Sequence, residues 1–259
     1  MTDAASPGAG KRVYVIGASR GIGAAIARAL AADGFDITLT SRTPDGEVAD
    51  VLAELRAAHP SADFEVREVD TGNRTSVAAL AAVIEENEAT YGLVYNAGQS
   101  YDRLAASIDP DRAAELMEIN ALGFMRLAAA AMRPMVRAKQ GRIVATGSIT
   151  ATYGVSGNAT YAATKGALLG YVRTLAVEIA RKGVTVNYIA PGFVETRLIE
   201  PYLPYREKME RQIPAGRLAQ PEEIAHLVRF VLSPLAGYMT GSVLTIDGGL
   251  SANLINRRP

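Results

Sequence analysis

Tyr161 and Lys165 stand four residues apart, so on a helix they share a face and can touch. A tyrosine with a pKa of ~10 neither gives nor takes a proton readily near neutrality. A neighbouring ammonium stabilises the phenolate and lowers that pKa. A drop of about three units asks for roughly 4 kcal/mol, within reach of a partly buried charge with a second, ligand-borne cation beside it. Ser148 precedes this pair by thirteen residues and follows a β-rich run. Its hydroxyl can polarise a substrate carbonyl while the tyrosine handles the proton. Taken singly, each has an ordinary reading: tyrosine and lysine meet by chance on many helices, and a serine after a strand is often a turn residue.

A second group reads Gly17-Ala18-Ser19-Arg20-Gly21-Ile22-Gly23, between a β-rich run and an alanine-rich one. Glycines between a strand and a helix allow a tight turn, close approach of backbone to a pyrophosphate, and close helix–strand packing. The helix N-terminus offers free N–H groups to phosphate. An NAD site carries an acid about 20 residues further on, for the ribose 2′-hydroxyl. Here the second strand ends in Thr40-Ser41-Arg42, with no carboxylate at its tip. Arg20 and Arg42 together can hold a 2′-phosphate by charge-assisted hydrogen bonds, which favours NADP.

Positioning these groups takes alternating strands and helices. Strands are predicted over 12–16, 36–40, 64–69, 93–95, 142–146, 184–189 and 242–246. Helices are predicted over 24–32, 48–58, 75–86, 113–132, 160–181 and 221–231. In the long fifth helix, Leu168, Val172, Leu175 and Ile179 recur on one face, and Gly183 sits where a C-terminal glycine belongs. Such alternation means parallel strands joined by right-handed helical crossovers: an α/β fold, a Rossmann-like doubly wound sheet with helices on both faces. Residues 1–10 read as a flexible tail and 11–259 as one domain. Residues 193–218 form a long connection rich in proline and tyrosine, expected to be a substrate lid.

Composition narrows the function. With 259 residues, 49% hydrophobic, the chain can build a sizeable core. Lys plus Arg and Asp plus Glu are 27 each, so no bulk charge draws it to nucleic acid or to an anionic membrane. There is no cysteine, and the only histidines are His59 and His226, which excludes thiolate chemistry and multi-histidine metal centres. No apolar run approaches the ~18 residues of a membrane span, and the start lacks the pattern of a secretory signal, so a cytoplasmic location is expected.

Gly17-x3-Gly21-x-Gly23, Asn96-Ala97-Gly98, Asn120, Ser148, Tyr161-x3-Lys165 and Pro191-Gly192 follow in this order. The series resembles the short-chain dehydrogenase/reductase family over essentially all of the chain after the tail. Within it, GASRGIG from Gly17, PGFVET from Pro191, IPAGRLAQPEEIA from Ile213 and TGSVLTIDGG from Thr240 are most similar to beta-ketoacyl-acyl-carrier-protein reductases.

The resemblance implies NADPH as cofactor and a role for each matching residue. Tyr161 would be the general acid of ketone reduction, and Ser148 would bind the substrate carbonyl. Lys165 would bind the nicotinamide ribose and depress the tyrosine pKa. Asn120 would distort its helix and hold a proton-relaying water. Gly17, Ser19, Arg20, Gly21, Ile22, Gly23 and Arg42 would carry the phosphates. Asp70 and Thr71 would meet the adenine, and Asn96, Ala97 and Gly98 the adenosine ribose. Pro191 and Gly192 would also touch the cofactor, while the backbone near Val194 and the Thr196 hydroxyl would hold the carboxamide. A homotetramer is implied, as is docking of an acidic acyl carrier protein at Lys139 and Lys182, with Arg133, Arg137 and Arg181 widening the patch.

Two positions depart from the family pattern: Ile16 replaces a threonine, and Tyr95 replaces an asparagine. The first removes a hydroxyl that braces neighbouring strands, and the second is expected to lie outside the chemistry. The function expected is NADPH-dependent reduction of a 3-oxoacyl thioester on acyl carrier protein. The alternatives are a dehydrogenase of the same fold acting on a free alcohol, sugar or steroid, and a non-catalytic dinucleotide-binding regulator.

Overall fold

The computed structural model describes residues 6–252. Among the described residues, seven strands form one parallel sheet: β1 (Arg12–Ile16), β2 (Asp36–Ser41), β3 (Phe64–Glu68), β4 (Thr90–Tyr95), β5 (Gly141–Thr146), β6 (Val184–Pro191) and β7 (Val243–Ile246). Their order across the sheet is β3-β2-β1-β4-β5-β6-β7. Chain direction across the sheet therefore reverses between β1 and β4, which opens a crevice beyond their C-terminal ends. Strands β1, β4, β5 and β6 are buried along their whole length. That is why they read as continuous apolar runs: both faces are covered.

Helices α1 (Gly21–Ala31) and α2 (Glu47–Ala58) cover one face, and α3 (Arg74–Glu86) begins the cover of the other. The expected helix over 113–132 is three pieces: α4 (Pro110–Met117), a π-helical turn (Glu118–Leu122) and α5 (Gly123–Ala138). It starts early because Asp109 caps it, accepting from the N–H groups of Asp111 and Arg112, with Pro110 in the first turn. It ends at Lys139, which adopts a left-handed conformation at φ 52°. The long helix α6 (Ala159–Ile179) runs through a 3₁₀ turn into Gly183, whose φ of 77° makes it the expected terminator.

The segment 193–218 is mostly regular. It contains a 3₁₀ run (Arg197–Tyr205) and α7 (Arg206–Gln212). Ile199, Met209 and Leu218 form its own small core with Phe193 against them. Arg206 ties it down by pairing with Glu195 and Glu210, at 2.7 and 2.8 Å. Helix α8 (Pro221–Leu232) then returns across the sheet to pack on α1.

Of the expected tail, residues 1–5 lie outside the described residues. Ser6–Gly10 do not hang free: they form a turn in which the Gly8 N–H donates to the Asp33 carbonyl at 3.0 Å. Gly8 is buried, and a Cβ there would lie 2.4 Å from the Phe35 nitrogen. Among the described residues no helix is long and apolar enough to cross a membrane, and no cluster of side chains suits a metal ion.

Candidate active site

The crevice at the switch point is a cleft of about 800 Å³. Its floor is the glycine loop. The Gly21 and Gly23 of that loop are already the first turn of α1, three residues earlier than the alanine run suggests. Gly17 has φ 80°, and a Cβ there would lie 2.9 Å from the Ala97 Cα. A Cβ on Gly23 would fall 1.9 Å from the Gly17 carbonyl oxygen, so the loop closes on itself only with glycine. Asn96 fastens it, its Nδ2 donating to that same carbonyl at 3.1 Å.

The bracing lost with Ile16 comes instead from Thr40 on β2. The Gly17 N–H donates to the Thr40 hydroxyl at 3.0 Å, and the Ala18 N–H donates to the Thr40 carbonyl at 2.9 Å. The hydroxyl is thus supplied across the strand pair rather than along β1.

At one end of the cleft lie Arg20, Ser41, Arg42 and Thr43. Two residues absent from the sequence reading join them, Glu47 and Arg197. Glu47 accepts from Arg20 at 2.6 Å and from Arg197 at 2.7 Å. Only the fold brings the start of α2 against the 3₁₀ run. Asp70, Thr71, Asn96, Ala97 and Gly98 line the middle, and Ser19, Ile22 and Thr196 line the walls. Pro191, Gly192 and Val194, like Ser148, Tyr161 and Lys165, stand just outside this lining: the Gly192 N–H donates to the Ile246 carbonyl, and the Val194 side chain is buried in the sheet core while the expectation there concerned its backbone.

Ser148, Tyr161 and Lys165 gather behind the cleft wall formed by Gly98. A Cβ on cleft-lining Gly98 would lie 3.3 Å from Asn120 Oδ1 and 3.4 Å from Lys165 Nζ, which joins this cluster to the cleft. Lys165 is buried, and its Nζ donates to the Thr146 carbonyl at 2.9 Å and lies 5.4 Å from the Tyr161 ring centre. Burial lowers its pKa to about 8. In the chain by itself the Tyr161 pKa is raised, not lowered. Burial pushes that phenol up to about 12, and the hydrogen bond from Ser148 offsets only part of this. The lysine that was to stabilise the phenolate is itself desolvated and turned toward a carbonyl.

Ser148 is held from below by Tyr188, another residue the sequence did not single out. The Ser148 N–H donates to the Tyr188 hydroxyl at 2.9 Å, and that hydroxyl lies 3.3 Å from the Lys165 carbonyl. A Cβ on Gly147 would fall 1.7 Å from the Tyr188 ring, so Gly147 makes the room. The Ser148 hydroxyl oxygen accepts from the Thr150 N–H at 3.2 Å and the Thr150 hydroxyl at 3.0 Å. With its oxygen accepting from Thr150, the hydroxyl proton of Ser148 is left to point at Tyr161.

Asn120 is buried within the π-helical turn. Its Oδ1 accepts from the Gln99 N–H at 2.9 Å, and its Nδ2 donates to the Gln99 carbonyl at 2.9 Å and to Thr164 at 3.0 Å. The local distortion of the helix is therefore present, and it aims the side chain at the segment after β4.

A dinucleotide fits this cleft. The glycine cradle would be filled by any Cβ at Gly23, the helix N-terminus faces the loop, and three guanidinium groups stand at one end, away from the buried lysine.

Residues 17–251 match the family described as "Enoyl-(Acyl carrier protein) reductase". The chain is 38% identical to the 3-oxoacyl-acyl-carrier-protein reductase FabG of Vibrio cholerae, over 93% of this chain and 97% of that one. It is 37% identical to the FabG of Escherichia coli K12, with the same coverage of both. A Beutenbergia cavernae protein, provisionally assigned as an NAD(P)-dependent gluconate 5-dehydrogenase and solved with NADP at low occupancy, superposes with a TM-score of 0.89. It shares 32% identity, and the match covers 96% of this chain and all of that one. A family match running from the glycine loop to the end of the sheet, together with relatives this similar over nine-tenths of its length, places this chain in the short-chain dehydrogenase/reductase family.

Proposed function

We propose that the protein reduces the ketone of 3-oxoacyl thioesters carried on acyl carrier protein, with NADPH as reductant, in fatty-acid or polyketide-type synthesis. The observation that carries this reading is a cleft lined by Arg20, Arg42 and Arg197, whose wall at Gly98 abuts Asn120 and Lys165, with Tyr161 and Ser148 beside that lysine. The likeness to FabG proteins supports the substrate class.

When bound, NADPH supplies the hydride for the ketone carbon. The protein's residues do the rest. Ser148 hydrogen-bonds the ketone oxygen through its hydroxyl and keeps its own proton. Tyr161, kept neutral by burial, gives that oxygen its proton as the alkoxide forms. Lys165 holds a positive charge beside the tyrosine, and Asn120, fixed by Gln99 and Thr164, flanks it at Gly98. Arg20, Arg42 and Arg197 take the 2′-phosphate, which competes with Glu47 for Arg20 and Arg197. The deciding experiment is a turnover screen of 3-oxoacyl thioesters against free ketones, with NADPH and NADH side by side. NADPH with a thioester should win, and Arg42→Asp should shift preference toward NADH. Equal use of both cofactors, or faster turnover of free ketones, refutes the reading.

The pH dependence follows from the two shifted groups. Both Tyr161 and Lys165 carry their protons at pH 7, and Lys165 loses its proton first as pH rises. kcat/KM for reduction should be flat near neutrality and fall as pH passes about 8. Lys165→Arg, which keeps its charge, should move that fall upward if it retains activity. A profile flat well above this range would show that the lysine charge is not needed.

Carrier docking belongs to the same proposal. Lys139 and Lys182 are exposed neighbours: a Cβ on Gly183 would touch the Lys139 carbonyl at 2.2 Å. They stand at the N-terminal edge of the sheet, where β5 and β6 begin. Ser148 lies at the other edge, roughly 20 Å away at ~3.3 Å per strand residue. A carrier docked there reaches a site only through a long arm, into this subunit or another. Arg133 and Arg137 are already paired with Glu85 and Glu88, which leaves the two lysines as the core of the patch. Reversing both to glutamate should raise KM for carrier-bound substrate several-fold and leave a small carrier-free thioester unchanged. Equal effects on both substrates would remove the docking role.

A cytoplasmic homotetramer completes the proposal. Val177, Leu235 and Tyr238 are 82%, 86% and 103% exposed in the single chain, as apolar residues awaiting a partner would be. Sedimentation at micromolar concentration checks it.

A further inference from the structure

We infer that Tyr95, at the position where the family pattern has asparagine, is a positioning residue for Asn120, acting by pinning the π-helical turn through its hydroxyl. The inference rests on the reductase reading of the site. Tyr95 ends β4 and is fully buried. Its hydroxyl donates to the carbonyl of Ile119, the residue immediately before Asn120. In an uninterrupted α-helix that carbonyl would receive the Gly123 N–H. Here the Gly123 N–H goes to Glu118 instead, one residue further back. The π-turn thus releases the Ile119 carbonyl from its usual helical donor, and Tyr95 supplies a replacement.

The surroundings are built for that phenol. A Cβ on Gly123 would lie 2.6 Å from the Tyr95 hydroxyl, so glycine at 123 leaves its space. Phe124 packs on the ring at 5.5 Å between centroids, and Tyr171 meets Phe124 edge-on at 5.8 Å. Full burial raises the Tyr95 pKa, so the hydroxyl remains a donor across the working pH range. The two ends of the device meet at the site. Tyr95 leads directly into Asn96–Gly98, which line the cleft, and then to Gln99, whose backbone holds Asn120 at both ends of its carboxamide. One hydroxyl on β4 therefore fixes the helix turn that carries Asn120 against the loop that receives it.

The test is Tyr95→Phe, which keeps the ring packing and removes only the hydroxyl, with Gly123→Ala as a second variant that crowds the same hydroxyl from the helix side. Each is expected to lower kcat about tenfold, since a small displacement of a positioned group weighs directly on the transition state. KM and cofactor affinity should stay within about twofold, because the cleft walls are untouched. The high-pH fall of kcat/KM should move as the Asn120 and Lys165 neighbourhood loosens. Independently of turnover, amide exchange over residues 117–124 should rise at least tenfold in both variants, while exchange in β4 and β5 stays slow. Normal exchange at 117–124, or kcat and pH profile unchanged, overturns the inference. So does a uniform loss of protection, cofactor affinity and turnover, since that marks Tyr95 as core packing only. A wild-type protein without ketone turnover refutes the reductase reading, and the exchange measurement still decides whether Tyr95 holds the turn.

Discussion

Tyr161→Phe is expected to lower kcat for ketone reduction by about 10²- to 10⁴-fold, the usual contribution of a positioned acid. The substitution removes one oxygen and almost no volume. The variant's phenyl ring would stay against Lys165, whose Nζ lies 5.4 Å from the centre of the Tyr161 ring, so the cleft retains its shape. Cofactor affinity should hardly change, because only the transition state loses an interaction. Lys165→Ala should differ in kind. It removes a buried ammonium bonded to the Thr146 carbonyl, and so leaves that carbonyl without its partner and, on the proposed reading, the cofactor ribose without a donor. It should reduce kcat and weaken cofactor binding together. Steady-state kinetics and cofactor titration by nicotinamide fluorescence separate the two patterns. Near-normal turnover by Tyr161→Phe would mean that the tyrosine is structural.

Gly23→Ala is expected to weaken dinucleotide binding by at least 100-fold and to lower Tm by several degrees. Its methyl group would sit 1.9 Å from the Gly17 carbonyl oxygen and 2.9 Å from Asn96 Nδ2. Backbone, not a flexible side-chain end, stands in the way. The loop must open, which breaks the Asn96 bond to Gly17 and moves the N–H groups that would face the pyrophosphate. Gly166→Ala is the control: nothing stands within 4 Å of a Cβ there, and a helix interior favours alanine. That variant should bind cofactor normally and be no less stable. Titration and thermal melts of the two proteins read the contrast directly. Normal affinity in Gly23→Ala would show that the loop does not need its close packing.

The fold could be read from the sequence because each crossover contributes a local, periodic signal. Seven β-rich runs alternate with helical faces, and parallel pairing follows from the alternation. The boundaries moved where one side chain decided them: Asp109 starts α4 early, and the left-handed Lys139 ends α5 late. The segment 193–218 read as irregular because Pro201 and Pro204 interrupt helical periodicity. Its order comes from contacts distant in sequence, such as Gln220 with Glu195 at 2.9 Å.

The candidate site divides along the same line. Gly17, Gly21, Gly23, Ser148, Tyr161 and Lys165 could be found from the sequence, because turn geometry and four-residue helical spacing are local properties. What those groups do to one another was not local. The lysine and a cationic nicotinamide together were expected to pull the tyrosine pKa down; in the chain by itself, burial of the phenol raises it to about 12. Glu47 reaches Arg197 across 150 positions, Tyr188 supports Ser148 across 40, and Tyr95 reaches Ile119 across 24. No periodicity records such pairs. The sequence by itself determined the doubly wound sheet, the crevice at its switch point and the candidate groups near it. The tertiary structure alone decided which charges are desolvated, which hydroxyls meet, and which buried side chains hold the candidate groups still, because burial and long-range hydrogen bonding depend on neighbours that only folding brings together.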